Sequence, residues 1–283
     1  MLTVLESLKL SAEYLEKKNI EAPRINAELL LAHVLKCKRL DLYLSFERPL
    51  SDEEKNAYRE LLKRRGMYEP LQYITGRVEF FSLNIKVNPS VLIPRPETEL
   101  LVEEVINSSD KEASLNILDI GTGSGNILVA LAKNLSKSQI TGVDISEEAL
   151  SVAKENAVLN EVSTNISFIK KDMLNDFVFN KKFDVVVSNP PYVSGADFEE
   201  LRPELRLHEP HISLTDQFDG YTFYRKISAT AHNYLKSGGK IFFEIGMGQS
   251  AVIKKLLEDS GYSQIEIIKD YAKIDRVIKG VLG

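Results

Sequence analysis

From residue 115 onward the chain repeats one pattern, and that repetition restricts its fold more than any other feature. Short apolar runs at residues 116–119, 139–144, 166–170, 183–188, 240–245 and 265–269 are separated by helical stretches such as 126–134 and 147–160. Runs of this length, rich in Ile, Val and Phe, read as strands, and strands alternating with helices build a largely parallel sheet covered on both faces. The expected fold class is α/β, a doubly wound sheet. Ligands of such sheets bind outside the carboxyl ends of the strands, so the residues that follow each run carry the chemistry.

The first run leads into Gly121-Thr122-Gly123-Ser124-Gly125 and then a helix. Glycines there permit positive φ and close approach of a ligand to the backbone. The dinucleotide fingerprint places a further glycine at position 126, where this chain has Asn126. Acids flank the loop. Asp119 ends the first strand, where a carboxylate repels a pyrophosphate and attracts the ammonium of a methionine moiety. Asp144 ends the second strand, 19 residues after Gly125, a position suited to accepting both ribose hydroxyls. Asp172 follows the third, within reach of an adenine amino group. A zwitterionic amino acid, a ribose and an adenine without phosphate describe S-adenosylmethionine. Taken singly, Asp144 also reads as a helix N-cap and Asp172 as a turn residue.

The fourth run ends in Asn189-Pro190-Pro191-Tyr192. This combination suits methylation of a planar NH2 group, whose lone pair is spread into a π system. The Asn189 side-chain oxygen and the Pro190 carbonyl are acceptors for its two N–H bonds. The prolines fix φ and add no donors of their own, and the Tyr192 ring offers a packing face. A plain Pro-Pro turn is the structural alternative.

The front of the chain differs. Residues 1–69 read as a small helical domain. Leu5, Leu8, Ala12 and Leu15 keep helical spacing, a second helix runs from about Arg24 to Cys37, and Ser51 caps a third that ends at Gly66. Residues 70–96 form a hairpin-like connector. In it Gln72-Tyr73-Ile74-Thr75-Gly76 and Val78-Glu79-Phe80-Phe81 are β-prone. Residues 97–283 are the α/β domain. The basic runs Lys63-Arg64-Arg65 and Lys170-Lys171 read as solvated faces.

A net charge of −5 disfavours a protein whose affinity comes from a nucleic-acid backbone. One cysteine, Cys37, allows no intramolecular disulfide and reads as a buried inert thiol. Four histidines and that cysteine lack metal-ligand spacing, so no metal site is expected. The first residues lack the layout of a signal peptide and no run approaches a membrane span, which makes the cytoplasm the expected location. His208 and His211 read as lid or surface residues.

The stretches Pro70-Leu71-Gln72-Tyr73-Ile74-Thr75-Gly76, Glu79-Phe80 and Ile93-Pro94-Arg95-Pro96-Glu97-Thr98-Glu99 complete a recognisable set. They join Asp119 to Gly125, Asn189 to Tyr192, Glu209-Pro210, Glu244-Ile245-Gly246 and Asp275-Arg276. Together these resemble the HemK-type protein-glutamine N5-methyltransferases, which modify peptide chain release factors. The resemblance implies a Rossmann-like class I methyltransferase sheet of seven strands with the last antiparallel, and a helical front domain that helps hold the substrate protein. It implies S-adenosylmethionine as donor, with S-adenosylhomocysteine as product, and the glutamine of a Gly-Gly-Gln motif as acceptor. Gly121, Thr122, Gly123, Ser124, Gly125, Asp144, Asp172 and Met173 fall on cofactor positions, with Asp119 and Asn189 beside them. Asn189, Pro190, Pro191 and Tyr192 fall on glutamine-binding positions, and Asn189, Pro190 and Tyr192 are the expected catalytic residues. Met173 stands where relatives often carry an aromatic residue, and residues 215–220 lack an expected glycine pair. A monomer is the expected state. The competing readings are an amino-group methyltransferase acting on adenine or cytosine in nucleic acid, a non-enzymatic translation-factor-binding protein, and a nicotinamide dehydrogenase.

Overall fold

A computed structural model describes residues 2–175 and 179–283; Met1 and residues 176–178 lie outside the described residues. The chain forms two compact units, one of Met1–Gly76 with Arg202–His208, the other of Arg77–Leu201 with Glu209–Gly283.

The first unit is helical. Helix α1 (Val4–Lys17) starts at a capping box in which Glu6 N–H donates to Thr3 Oγ1 at 3.3 Å and Thr3 N–H to Glu6 Oε2 at 2.9 Å. Helix α2 (Pro23–Leu35) buries Ala27, Leu30 and Leu31 completely and forms the centre of this core. Helix α3 (Asp52–Gly66) is capped by Ser51, as its sequence predicts. Gly66 is the last residue of α3, as the sequence predicts. A Cβ there would stand 2.6 Å from the Tyr14 hydroxyl, so the glycine serves close helix approach.

Three expectations are corrected in this unit. Most of the stretch Gln72 to Gly76, read as β-prone, lies in a short helix α4 (Leu71–Thr75). Its Ile74 packs into the helical core, and the Tyr73 and Ile74 N–H groups donate to the Pro70 carbonyl, so burial overrides local propensity. The Lys63-Arg64-Arg65 run is not one solvated face. Arg65 is buried and donates to Asn26 Oδ1 at 2.7 Å and the Glu69 carbonyl at 3.1 Å, and pairs with Glu204 of the returning Arg202–His208 segment. A charge spacing cannot reveal that a chain segment far along the sequence returns to satisfy it. Cys37 is half-buried against the same core rather than fully buried.

The second unit opens with a two-stranded antiparallel hairpin, β1 (Arg77–Phe80) and β2 (Leu83–Lys86), followed by helix α5 (Thr98–Asn107). Next come β3 (Asn116–Ile120), α6 (Asn126–Asn134), β4 (Gln139–Asp144), α7 (Glu147–Leu159), β5 (Ile166–Lys170) and β6 (Phe183–Ser188). After the helix Thr222–Thr230 come β7 (Leu235–Glu244), the helix Ser250–Asp259, β8 (Tyr262–Lys269) and β9 (Asp275–Leu282). Their order is β5-β4-β3-β6-β7-β9-β8, with the first five parallel and β9 antiparallel to both neighbours. The apolar runs missed β9, whose Asp275-Arg276 start and central Lys279-Gly280 interrupt the hydrophobic signal. The antiparallel strand is thus the last in sequence but lies inside the sheet rather than at its edge.

The central strands are buried on both faces. Leu118 and Val186 join Tyr224, Ile241, Phe243 and Ile278 in one core. One polar residue inside this unit is structural in a way that no motif announces. Asn156 of α7 is fully buried; its Nδ2 donates to the Ser124 carbonyl at 2.8 Å and the Lys86 carbonyl at 2.9 Å, and its Oδ1 accepts from Lys86 N–H at 2.7 Å. This amide ties the hairpin to the glycine loop. Asn156→Leu should destabilise the chain by about 2–4 kcal/mol, because it leaves buried backbone groups without partners. Urea denaturation checks this, and a loss below about 0.5 kcal/mol would contradict the assignment.

Candidate functional site

The sheet order reverses at β3. The chain leaves β3 toward β4 and β5, then returns to β6 on the other side. Connections departing in opposite directions open a crevice at the carboxyl ends. A cavity of about 260 Å³ lies there. Its wall includes Gly121, Gly123, Asp144, Asp172, Met173 and the Asn189-Pro190-Pro191 stretch. The ends of four successive parallel strands therefore meet in one site. Ser188 Oγ donates to the Ile120 carbonyl at 2.7 Å and locks two of those ends together.

The glycine loop is held from below. Gly121 and Thr122 N–H donate to the Val143 carbonyl at 2.9 and 3.1 Å, and Gly123 N–H donates to Asp144 Oδ2 at 2.8 Å. Gly121 and Gly123 have φ of +75° and +53°, and a Cβ at either would meet no protein atom within 4 Å. Both line the cavity, so the loop leaves a cradle of backbone that a ligand can approach closely. Asp144 is not a helix cap. Ser146 caps α7, while Asp144 Oδ1 accepts from Ser146 N–H at 2.9 Å. Burial raises the Asp144 pKa against these backbone hydrogen bonds. Asp172 faces the cavity and also holds its own turn, accepting from Leu174 N–H at 2.9 Å and Asn175 Nδ2 at 2.7 Å.

Several predicted residues stand behind the wall. Asp119 is fully buried, with one oxygen accepting from the Thr122 hydroxyl and Oδ1 left without a partner. Burial, then the nearby Asp144 charge, pushes Asp119 up to about 7 despite that hydrogen bond. Thr122 and Ser124 are buried as well, and Gly125 turns the loop into α6. Tyr192 is half-buried against the core, donates its hydroxyl to Glu244 Oε1 at 3.4 Å and is not among the residues lining the cavity. The donor set suits S-adenosylmethionine. Acid, backbone and apolar groups share its cavity, among them Asp144, the loop glycines Gly121 and Gly123, Met173, Leu174 and Ile145.

Sequence reading missed much of the surrounding frame. Glu209 is buried, accepting from Ile93 N–H at 3.1 Å and pairing with Arg95, so two separate motifs prove to be partners. Asp216 organises the loop after it, accepting N–H from Phe218, Gly220 and Thr222. That Asp-before-Gly spacing was the available signal. Ile212, Ser213, Thr215, Asp216 and Gln217 form the far wall. His211 stacks edge-on to Phe198, and His208 Nε2 lies 3.0 Å from the Met67 carbonyl.

Similar sequences show the family. A protein of Fusobacterium nucleatum named release factor glutamine methyltransferase is 42% identical over 95% of this chain and 76% of its own length. Proteins of the same name from Rhodopirellula baltica and Geobacter sulfurreducens are 39% and 40% identical, covering 98% and 99% of the chain and 95% and 97% of theirs. This chain belongs to the release factor glutamine methyltransferases. The family model for a PrmC N-terminal domain matches residues 6–76, and one for a methyltransferase domain matches residues 111–276. The fold is also that of a ribosomal protein L11 methylase from Lactobacillus delbrueckii, with a TM-score of 0.51 at 22% identity over 70% of this chain and 86% of that one. A methyltransferase from Pyrococcus furiosus superposes at 0.52 with 21% identity, over 72% and 91%. Family membership along nearly the whole chain leaves the nucleic-acid reading without support. Among the described residues, no helix is long and apolar enough to cross a membrane.

The buried Asp119 generates a pH prediction for this methyltransferase. Its folded pKa lies above the usual value of 3.8, so its stabilising contribution is full below that pH and is lost as pH rises through about 7. Asp119→Asn removes this titration. The melting temperature of the variant relative to the parent should therefore rise between pH 5 and pH 8 without added cofactor. A difference that stays constant across that range would show that Asp119 does not titrate there.

Proposed function

We propose that this chain transfers the methyl group of S-adenosylmethionine to the side-chain N5 of the glutamine in the Gly-Gly-Gln motif of peptide chain release factors, tuning translation termination in the cytoplasm. One observation carries the reading. Asn189 and its two prolines share a cavity wall with the glycine cradle and Asp144, so an amide acceptor and a methyl donor have adjoining places.

Bound S-adenosylmethionine supplies a sulfonium-borne methyl group and ends as S-adenosylhomocysteine. Gly121 and Gly123 offer backbone to it, Asp144 accepts ribose hydroxyls, and Asp172 with Met173 meets the adenine. Asp119 adds negative charge beneath the amino-acid end, and Thr122, Ser124 and Gly125 hold the loop. Asn189 Nδ2 donates to Thr98 Oγ1 at 3.3 Å, which leaves Asn189 Oδ1 as the acceptor for the substrate amide. The Pro190 carbonyl is the second acceptor, and Pro191 keeps donors away. Holding both N–H bonds orients the nitrogen lone pair and offsets the loss of amide resonance in the transition state. The methylated nitrogen is strongly acidic and releases its extra proton to water, so this chain supplies orientation rather than a strong base. Tyr192 acts from behind, buttressing the motif. The helical unit is the docking element for the release factor, and the chain works as a monomer.

Asn189→Ala should lower turnover by roughly 100-fold or more while cofactor affinity changes by less than about 3-fold. Labelled-methyl transfer to purified release factor measures the first and calorimetry the second. Label should disappear when the Gly-Gly-Gln glutamine is replaced by alanine. Persistent labelling of that factor would remove the substrate assignment.

A further inference from the structure

Pro190 and Pro191 carry no N–H, so this part of the site has no backbone donors through which it could be anchored. With the Pro190 carbonyl left for the substrate, the loop has to be held further along. Gln249, the residue before the helix Ser250–Asp259, supplies that hold. Its Nε2 donates to the Tyr192 carbonyl at 3.0 Å and to the Gly220 carbonyl at 3.4 Å, and its Oε1 accepts from Gly246 N–H at 2.9 Å. Gln249 is 9% exposed and is not among the residues lining the cavity.

Three loops therefore meet on one buried amide. Tyr192 ends the motif that follows β6, Gly246 follows β7, and Gly220 ends the loop whose Thr215, Asp216 and Gln217 form the far wall of the cavity. Carbonyls only accept and an N–H only donates, so the Gln249 amide fits one way round. The packing is close. A Cβ at Gly220 would stand 2.5 Å from the Tyr192 carbonyl oxygen, and one at Gly246 would stand 2.9 Å from Gln249 Oε1. Beyond Tyr192 the motif and the wall stay joined, since Val193 N–H donates to the Leu214 carbonyl at 3.0 Å and Gly195 N–H to the Phe218 carbonyl at 2.9 Å.

We propose that Gln249 is a positioning residue for methyl transfer, holding the Tyr192 carbonyl so that Asn189 Oδ1 and the Pro190 carbonyl keep their places relative to the opposite wall. The proposal rests on the reading of Asn189 and Pro190 as the clamp for the substrate amide. Gln249 acts through the backbone, and the fixed φ of the two prolines passes a shift at Tyr192 back to the acceptors with little slack. The Glu244-Ile245-Gly246 motif and the one glycine of residues 215–220 then share a task, although they stand apart in the sequence.

The test uses the full chain at pH 8.5 with saturating S-adenosylmethionine and release factor as methyl acceptor. Single-turnover rates are expressed per cofactor-binding chain, counted by calorimetry, so that misfolded protein does not lower them. Gln249→Met keeps the side-chain length and removes both donors and the acceptor. Gln249→Glu, ionised, keeps the acceptor for Gly246 N–H and offers no donor to the two carbonyls. Both variants should lower the maximal rate roughly 10–100-fold, as displacement of a reacting group by about 1 Å does. Cofactor affinity and the half-saturating concentration of release factor should each change by less than about 3-fold, which puts the loss on the transfer step. Parent-like rates in both variants, alongside a collapse in Asn189→Ala, would overturn this proposal and leave the clamp intact. A parent-like rate in Gln249→Glu alone would place the effect at Gly246 and overturn the tie to Tyr192. A loss carried wholly by the half-saturating concentration would make Gln249 a support for docking and overturn its positioning role. Parent-like rates in Asn189→Ala would overturn the clamp itself, and the role of Gln249 with it.

Discussion

The site depends on one topological constraint, the reversal of strand order at β3. Because β4 leaves on one side and β6 pairs on the other, the loops after β3 and β6 part and cannot fill the space between them. The twisted parallel sheet then brings the ends of β3, β4, β5 and β6 to one edge, and their loop residues reach a common cavity. None of the acids or the amide needs unusual local structure to arrive there. Their position follows from strands whose apolar residues are buried on both faces, a condition met by Ile117, Leu118, Val185 and Val186.

Around that edge the polar groups form two layers. Groups on the cavity wall remain available to ligands: the loop glycines, Asp144 and Asn189. Behind them lies a buried layer of Asn156, Asp119, Thr98 and Glu244. Burial pushes Glu244 up to about 7, against the charge of Arg276. Buried groups with unpartnered oxygens are costly to a fold. Their presence beneath the two functional loops fits a frame that gives up some stability to hold orientation.

The helical unit has a different logic. Its core is made by apolar faces of α1 to α3, but its polar anchors are long-range. Arg65 joins residues of α2 and of the returning segment Arg202–His208. Glu28 is wholly buried and takes hydrogen bonds from Arg24, Arg39 and Tyr43. Patterning marks such residues as surface charges, since Lys, Arg and Glu are mostly exposed unless paired.

Sequence alone determined the alternation of strands and helices, the glycine loop with its flanking acids, the amide-proline motif and the cap of α3. Each is a local signal: periodicity reflects which face is buried, and caps and turns use neighbours within a few residues. It left β9 unseen, because charged and glycine positions break that strand's period, and it misread most of Gln72 to Gly76, because tertiary burial overrode β propensity. Only the tertiary structure decided which predicted residues face the cavity and which support it. Asp119 and Tyr192 belong to a motif by sequence, yet burial turns one beneath the loop and the other toward Glu244. Pairings such as Arg95 with Glu209, Asn156 with Ser124 and Thr98 with Asn189 join residues far apart along the chain, and no local pattern encodes a partner that only folding brings within hydrogen-bond reach.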